Sequence, residues 1–408
     1  AKAAEDAAAA KAAAKAAKAA AKAAAQAGAP AVRQVPATEK AETAPVVPVL
    51  PVQPDAATGA APVAEATAAP ASDAAGGTVV EEVVTKESAR SSAEDFANTV
   101  TGKPKDARKK KDKGLDDTEK LLLLGLGAVA VGSMLSNNRK VELNSGDRVV
   151  VTRPDGTQQV IKNDDALLRQ PGATLRTETF DDGSTRTTVL REDGSRVITV
   201  RDAEYRVLRR VHVDPRGRET VLIDDTVTYQ PVDVTRLPPP APPARIDGLS
   251  DEAALRAALA REGAFDRRFS LSQVRDIARV RALVPEIDFA SITFDTGSAA
   301  IAPEQARALS GLGRLIQDFV AENPREVFLI EGHTDAVGSA AANLALSDRR
   351  AETVALALTE YFGVPPENLV VQGYGEEFLR VPTDAAERAN RRVAVRRITD
   401  LLRTAAAD

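Results

Sequence analysis

The order of apolar and polar residues in the last third of the chain predicts alternating strands and helices. Short apolar runs are typical of strands, whereas apolar residues spaced three or four apart are typical of amphipathic helices. The runs predict strands at 291–294, 327–331, 368–373 and 392–398, separated by helices at 303–320, 339–362 and 384–389. Helices packed on one face of a mixed four-stranded sheet make an α+β sandwich, and we predict this fold class for residues 285–402.

Residues 141–235 carry a second pattern, in which alternating segments are separated by Asp-Gly turns. Asp155-Gly156, Asp182-Gly183 and Asp193-Gly194 are such turns, which are the strongest short-range signal for a β-hairpin. From Gly183 the turns recur every eleven residues, at Gly194, Tyr205 and Arg216. We predict an antiparallel β-meander of six or seven strands with arginine and threonine on the solvent side. These arginines either bind an anionic polymer or keep the sheet from aggregating, and we favour the second interpretation.

The first 120 residues predict little packed core. Residues 1–27 are almost entirely Ala and Lys, a composition that favours a helix but offers no large apolar residue to bury. Residues 28–120 are rich in Pro, Ala and charged residues, and we expect a disordered linker. Within this linker, 79–101 has the pattern of a short amphipathic helix, and 103–113 is a basic cluster.

An apolar stretch at 121–135 is the candidate membrane segment. Its fifteen residues would span about 22 Å as a helix, less than the ~30 Å hydrocarbon core of a bilayer. Two interpretations stay open. The stretch either inserts into a membrane, with the basic cluster on the cytoplasmic side, or forms a buried hairpin or an interfacial helix. It contains no ionisable residue, which argues against the intramembrane carboxylate of a stator-type proton channel.

Two segments lie between the meander and the last domain. Residues 236–248 contain Leu237-Pro-Pro-Pro-Ala-Pro-Pro, which predicts a stiff polyproline linker and a domain boundary. Residues 250–284 predict a helical lead-in of two short helices, the first capped by Ser250.

Composition and charge exclude several functions. The 408 residues have a formal net charge of −5, which argues against a general nucleic-acid binder. The chain has no cysteine, so it offers no disulfide, thiolate metal site or lipidated cysteine. Because its two histidines, His212 and His333, lie in different predicted domains, we expect no metal centre and no cofactor. No signal peptide is visible, and we expect a form from which an export signal has been removed.

The candidate chemistry lies in residues 331–338, Glu-Gly-His-Thr-Asp-Ala-Val-Gly, directly after an apolar run. Thr334 and Asp335 are therefore predicted at the carboxyl end of a strand, where open α/β sheets place their ligands. Arg350 lies fifteen residues further, on the predicted helix. If the fold brings both together, Asp335 can hold an ammonium and Arg350 a carboxylate, as in a zwitterion. From spacing alone, an exposed acid and a solvated arginine are the simpler interpretation.

A longer series of residues has the order found in a known family. It comprises Phe294-Asp295, Glu331-Gly332-His333-Thr334-Asp335, Gly338, Asn343, Leu346-Ser347, Arg349-Arg350-Ala351, Val354, Leu358, Gly363-Val364-Pro365, Gly373-Tyr374-Gly375-Glu376 and Asn390-Arg391-Arg392-Val393. This series resembles the OmpA-like C-terminal domain, the peptidoglycan-binding module of Gram-negative envelopes. The resemblance covers about residues 285–402 and is far more specific than one short motif. Two departures are Glu377-Phe378-Leu379, where the family often has Asn-Pro, and Ala394, where it commonly has glutamate.

The resemblance implies a βαβαβ sandwich that binds the stem peptide of peptidoglycan. In the family, the aspartate of the Thr-Asp turn and the second arginine of the Arg-Arg pair hold diaminopimelate, and these positions fall on Asp335 and Arg350. The implied hydrogen-bonding neighbours are Thr334 and Asn343, and the rest of the groove is implied to contain Phe294, Asp295, Leu346 and Arg392. Phe294 and Leu346 are apolar and can equally be packing residues. We expect His333 to pack or to form hydrogen bonds.

The function that follows is a non-catalytic anchor between the cell envelope and its wall. The expected location is the periplasm, in association with the outer membrane, or with the inner membrane if 121–135 inserts. One alternative is a scaffold that binds another envelope protein through the meander and the Ala/Lys helix, with the wall contact secondary. A protein partner could also bind through 121–135. The other alternative is a cell-wall hydrolase, whose paired carboxylates could be drawn from Asp295, Glu331, Asp335 and Glu376. Nothing in the spacing of these four residues favours that chemistry.

Overall fold

The computed structural model describes residues 78–94, 131–246, 252–260 and 265–402, without 87, 136, 137, 228, 266, 290, 291, 293 and 296. The predicted Ala/Lys helix, the linker up to residue 77, the basic cluster and most of 121–135 lie outside these residues. Among the described residues, no helix combines the length and the apolar character needed to cross a bilayer.

Ten strands are described between residues 78 and 224, and they form two sheets. They are β1 (Thr78–Val83), β2 (Met134–Leu135), β3 (Arg139–Asn144), β4 (Arg148–Thr152), β5 (Gln158–Lys162), β6 (Thr174–Thr179), β7 (Thr185–Leu190), β8 (Arg196–Arg201), β9 (Val207–Val213) and β10 (Glu219–Asp224). Strands β2 to β5 form one sheet in chain order, and the other has the order β1-β6-β7-β8-β9-β10. All pairs of neighbouring strands are antiparallel.

The β-meander is therefore present, but it is divided where the sequence predicted one continuous sheet. A 3₁₀ segment at Asp164–Leu168, capped by Asn163, separates β5 from β6 and buries Leu168. The eleven-residue spacing of the turns is found, and Tyr205 takes the left-handed conformation there with φ +64°. The prediction of a helix at 79–101 is wrong for its first residues, which form a strand. Strand β1 stands there because its β-branched residues pair along the edge of β6.

The C-terminal domain contains the predicted mixed sheet. Its strands are β11 (Ala244–Ile246), β12 (Ile287–Phe289), β13 (Phe328–Gly332), β14 (Leu369–Gly373) and β15 (Val393–Arg397), in the order β11-β12-β15-β13-β14. Strands β13 and β14 are parallel, and β15 is antiparallel to both β12 and β13. The strand expected at 291–294 is found earlier, at β12. A short fifth strand, β11, comes from the segment that was predicted only as a linker.

Six α-helices are described in this half of the chain. They are α1 (Glu252–Leu259), α2 (Leu271–Asp276), α3 (Ala278–Arg281), α4 (Pro303–Ala308), α5 (Ser310–Glu322) and α6 (Ala340–Phe362). Helix α6 matches its prediction, since Ser339 caps its start and Gly363, with φ +63°, ends it. The helix expected at 303–320 is divided between α4 and α5, and the one expected at 384–389 is a 3₁₀ segment at Arg388–Asn390.

Both faces of the C-terminal sheet are covered. Phe328 and Ile330 of β13 pack with α4, α5 and α6 in one core, which confirms that the helices of the domain lie on one face. Leu329 points to the opposite side because successive side chains of a strand alternate. There it packs with Val274 of the lead-in helix α2 and with Ile223 of β10. The lead-in and the second meander sheet therefore cover the face that the domain leaves open.

Buried ion pairs connect the first sheet with helix α6. Arg148 of β4 is 1 % exposed, and its guanidinium pairs with the carboxylates of Asp348 at 2.7 Å and of Glu352. Lys162 of β5 also contacts Asp348, at 2.7 Å. Arg349 pairs with Asp147 at 2.7 Å. Residues on both sides of the polyproline segment thus pack into one compact unit.

Candidate ligand-binding site

Two parallel strands end at the candidate site. Strand β13 ends at Gly332 and β14 at Gly373, and the chains beyond them stay connected, since the Thr334 N–H donates to the Gly375 carbonyl at 2.9 Å. Helix α6 lies directly over both strand ends. A Cβ on Gly332 would be 1.9 Å from the Ser347 carbonyl oxygen, and one on Gly373 would be 2.3 Å from the Asp348 nitrogen. Only glycine permits this approach, which places the middle of α6 beside Thr334 and Asp335.

Asp335 is held by Arg391, which was not among the residues predicted for the site. Its carboxylate is largely buried, with 8 % of the residue exposed. The guanidinium of Arg391 donates from Nη1 to Oδ2 of Asp335 at 2.7 Å. Because a carboxylate has two oxygens with several acceptor positions, this bond leaves Asp335 able to accept from another donor.

Arg350 is fixed by main-chain carbonyls and an aromatic ring. Its Nε donates to the Ser298 carbonyl at 3.0 Å and its Nη2 to the Asp295 carbonyl at 3.1 Å. Its guanidinium carbon lies 5.0 Å from the centre of the Phe294 ring. The buried Nη1 has no hydrogen-bond partner in the part of the chain that the structure describes. One nitrogen of this buried guanidinium therefore lacks an acceptor.

Asp335 and Arg350 lie in one electrostatic environment without forming an ion pair. Among the described residues, no nitrogen of Arg350 lies within 4.0 Å of a carboxylate oxygen of Asp335. Burial, and to a smaller extent Arg391, lower the pKa of Arg350 to about 10, and Asp335 acts in the opposite sense. The guanidinium thus stays protonated at neutral pH. The site holds two cations, Arg350 and Arg391, and one anion, Asp335. Arg391 contacts Asp335, whereas Arg350 is more than 4.0 Å from its carboxylate.

The other predicted residues differ in where they lie. Thr334 has a buried hydroxyl with no hydrogen-bond partner among the described residues, and Asn343 donates from Nδ2 to the Glu376 carboxylate. Asp295 accepts from Arg350 through its main-chain carbonyl, and its side chain is exposed. Leu346 is half-buried on α6.

Arg392 lies against a different set of residues from Asp335. It donates to the Glu286 carboxylate at 3.5 Å and to the Phe378 carbonyl at 3.2 Å. Both arginines precede β15, which begins at Val393, and they contact different partners: Arg391 contacts Asp335, and Arg392 contacts Glu286. The predicted strand began at Arg392, so strand alternation in the sequence gave no signal for Arg391.

His333 is a packing residue beside the site. It is 2 % exposed, and its ring lies 5.7 Å from that of Tyr374 in a stacked arrangement. Burial lowers its pKa well below the usual value, and nearby arginines, Arg392 foremost, act in the same direction. The imidazole is therefore neutral. Within the described residues, no group of three His, Asp or Glu side chains is arranged to hold a metal ion.

Comparison with known proteins places the site within a matched region. Residues 293–393 match the model described as the OmpA family. Over 107 residues the chain is 32% identical to the probable lipoprotein YiaD of Escherichia coli (strain K12), covering 26% of this chain and 47% of that protein. It is 34% identical to outer membrane porin F of Pseudomonas fluorescens over 104 residues, or 25% of this chain and 30% of the porin. The chain thus spans less than half the length of these curated relatives.

A solved structure is similar to part of the chain. The crystal structure of the peptidoglycan-associated lipoprotein from Burkholderia pseudomallei is 27% identical, with a TM-score of 0.22. The match covers 26% of this chain and 86% of that chain.

Proposed function

We propose, from the premise that residues 293–393 are an OmpA-family domain, that this protein binds peptidoglycan and ties it to the cell envelope without cleaving it. The ligand that we propose is diaminopimelate of the stem peptide. One carbon atom of its side chain carries an ammonium and a carboxylate. Asp335 would accept from the ammonium, and Arg350 would donate to the carboxylate.

The unpartnered Nη1 of Arg350 is the observation that carries this proposal. A buried donor without an acceptor destabilises the protein by about 1–3 kcal/mol. A ligand oxygen that accepts from this donor removes that unfavourable free energy, which strengthens binding. The other two nitrogens of the guanidinium, Nε and Nη2, already donate to the carbonyls of Ser298 and Asp295. Because the side chain is fixed before binding, little conformational entropy is lost when the carboxylate arrives.

The contacts of the carboxylates support binding rather than hydrolysis. Glu331 is 1 % exposed and is paired with Arg281 and Arg396, each at 3.0 Å. Asp335 is paired with Arg391, and the carboxylate of Glu376 accepts from Asn343. A glycosidase needs one carboxylic acid that can give up a proton beside a second carboxylate. Each of these three acids is instead held by a cation or an amide donor.

The envelope location is part of the same proposal. The relatives named above are a probable lipoprotein and an outer membrane porin. We infer a protein associated with the outer membrane, with its wall-binding domain in the periplasm. Attachment to the inner membrane through 121–135 remains the alternative.

Co-sedimentation of the full chain with purified sacculi tests the proposal. Sacculi with diaminopimelate are compared with sacculi that carry lysine at the same position, because lysine lacks the carboxylate that Arg350 would bind. The variants are Asp335→Asn and Arg350→Met. Their matched controls are Asp318→Asn and Arg256→Met, which alter an exposed ion pair between α5 and α1.

Wild type and both controls are expected to bind diaminopimelate sacculi and to prefer them to lysine sacculi. Loss of either site residue should cost about 2–5 kcal/mol of binding free energy, enough to remove the sedimentation of a micromolar binder. Wild-type binding by folded Asp335→Asn and Arg350→Met would show that the site is misplaced. Soluble muropeptides released from the sacculi would show that the protein is an enzyme.

A further inference from the structure

A polar cavity shares none of its lining residues with the proposed wall-binding site. It lies where β9 and β10 meet α2, β14 and the 3₁₀ segment after β5. Its lining includes Lys162, Asp164, Arg210 and Arg275, together with apolar residues such as Ile223 and Val370. The charged residues of the lining are these three cations and two acids, Asp164 and Glu352, so the cations are in excess by one.

Arg210 is the residue that makes this cavity unusual. It is only 4 % exposed. Its Nη1 lies 3.4 Å from the carbonyl oxygens of Glu367 and Leu369, which is long for a hydrogen bond. Its Nε has no hydrogen-bond partner in the described structure, and no described carboxylate oxygen lies within 4.0 Å of its guanidinium. An arginine remains protonated in proteins, so this is a buried positive charge without a direct counter-ion.

The neighbouring acids are already committed to other cations. The charged groups that act most strongly on Arg210 are two acids, Asp164 and Asp165, and two arginines, Arg201 and Arg275. Asp165 pairs with Arg201 at 2.7 Å, and Asp164 lies 3.7 Å from Arg275. These pairs cancel, which leaves the charge of Arg210 in excess.

The other cations of the lining share their acids with further cations. Lys162 contacts Asp348 at 2.7 Å, but Asp348 is shared with Arg148, also at 2.7 Å. Arg275 donates from Nη2 to the Val371 carbonyl at 2.9 Å, and its buried Nε has no hydrogen-bond partner among the described residues. An uncompensated buried charge is strongly destabilising unless an ion of opposite sign neutralises it.

The cavity has space for one small ion. It offers about 20 Å³ to the centre of a water-sized sphere, and about 10–15 Å³ is sufficient for one water molecule. A monatomic anion is only slightly larger than water, so it is the class of anion closest to this size.

We propose that this cavity binds one monatomic anion of the chloride class between Arg210 and Arg275. The ion would neutralise Arg210 and join β9, α2 and β14, which belong to different layers of the fold. The meander and the C-terminal domain would then be held together more firmly when chloride is present. This site is independent of wall binding.

Thermal unfolding of the full chain tests the proposal, with sodium chloride replacing sodium gluconate at constant ionic strength. Stabilisation by a bound ligand grows with its concentration relative to Kd, so a tenfold excess of chloride should raise the Tm of wild type by about 3 °C or more. Arg210→Met should abolish this chloride effect. Arg209→Met is the matched control, because it removes the same charge from the next residue of β9, whose side chain points the other way.

Equal Tm values of wild type in the two salts would overturn the proposal, and so would a full chloride effect in Arg210→Met. If Arg210→Met does not fold, crystals of the wild type soaked in bromide show whether an anion binds in the cavity. An anomalous peak beside the Arg210 guanidinium is expected. Its absence from this cavity would show that water alone occupies the space.

Discussion

Arg391 and Asp335 are 56 residues apart in the sequence, yet the guanidinium of one donates to the carboxylate of the other at 2.7 Å. Together with Arg350, they make a site of two guanidiniums and one carboxylate. Such a site has a net positive charge. It therefore favours the carboxylate part of a zwitterion, while Asp335 still attracts the ammonium.

The first prediction concerns Arg391. Arg391→Gln should weaken binding to diaminopimelate sacculi about three- to tenfold, because a partly buried charge (the Arg391 side chain is 20% exposed) near a ligand carboxylate contributes on the order of 1 kcal/mol. The effect should be smaller than that of Arg350→Met. Binding isotherms with sacculi measure it, and the effect should decrease as salt is added. Tighter binding by Arg391→Gln would instead show that Arg391 competes with the ligand ammonium for Asp335.

The residues of the site differ in how far the sequence could predict them. Thr334 and Asp335 were placed correctly at the end of a strand, because an apolar run followed by a glycine-bounded turn is a local signal. Helix α6 was also predicted with its ends, since Ser339 and Gly363 are local caps. Arg391 was missed because it lies before β15, and its contact with Asp335 joins two segments that are 56 residues apart in the sequence.

The contact between Arg148 and Asp348 could not have been predicted from the sequence. The two residues are 200 positions apart, and each is an ordinary charged residue in its local pattern. Their pairing depends on how the first sheet lies on α6. For the same reason, the polyproline segment was interpreted as a boundary, although both sides of it share one core.

The second prediction tests this contact. Arg148→Met should lower the free energy of unfolding by about 3–5 kcal/mol, because Asp348 and Glu352 lose a cation that is buried with them. Denaturant unfolding of the full chain measures this loss. Replacing Glu352 by leucine in the same chain should recover part of it, since a well-packed apolar pair often replaces a buried ion pair without cost.

Arg256→Met is the control for the second prediction. Arg256 pairs with Asp318 at 2.7 Å, but both side chains are about half exposed. Its loss should change the free energy of unfolding by less than about 1 kcal/mol. Equal effects of Arg148→Met and Arg256→Met would show that the first sheet does not pack on α6 in solution.

The third prediction concerns pH and Asp225. Burial raises the pKa of Asp225 to about 7 from its ordinary 3.8, although the Leu271 and Ser272 N–H groups oppose this shift. Between these two values the folded protein binds a proton that the unfolded chain has lost. Stability from this group is therefore fully present below pH 3.8 and is lost as the pH rises through 7.

Asp225→Asn should remove this loss. At pH 8 the free energy of unfolding of the variant should exceed that of wild type by about 1–3 kcal/mol, and at pH 4 the two should be nearly equal. Urea unfolding at both pH values measures the difference, with the exposed Asp318→Asn as a control that shows no such change. If the difference in free energy of unfolding between Asp225→Asn and wild type is the same at pH 4 and at pH 8, the raised pKa of Asp225 is contradicted.

The fourth prediction concerns the close approach of α6 to the end of β13. A Cβ at residue 332 would lie 1.9 Å from the Ser347 carbonyl oxygen and 2.7 Å from its carbon, and both are main-chain atoms that cannot rotate away. Gly332→Ala must therefore push α6 from the strand, at a cost of about 1–3 kcal/mol or more. Because α6 carries Arg350 while the segment after β13 carries Asp335, the same shift should change the gap between them.

Gly311→Ala is the matched control, because a Cβ there meets no atom within 4 Å and the residue lies in helix α5. It should raise the free energy of unfolding by up to about 1 kcal/mol, as alanine does in a helix interior. Unfolding curves and sacculus binding, both at a temperature where each variant is folded, separate the two effects. A destabilised Gly332→Ala that binds sacculi as tightly as wild type would show that the position of α6 does not set the distance from Asp335 to Arg350. Wild-type stability of Gly332→Ala would contradict the packing of α6 on β13 itself.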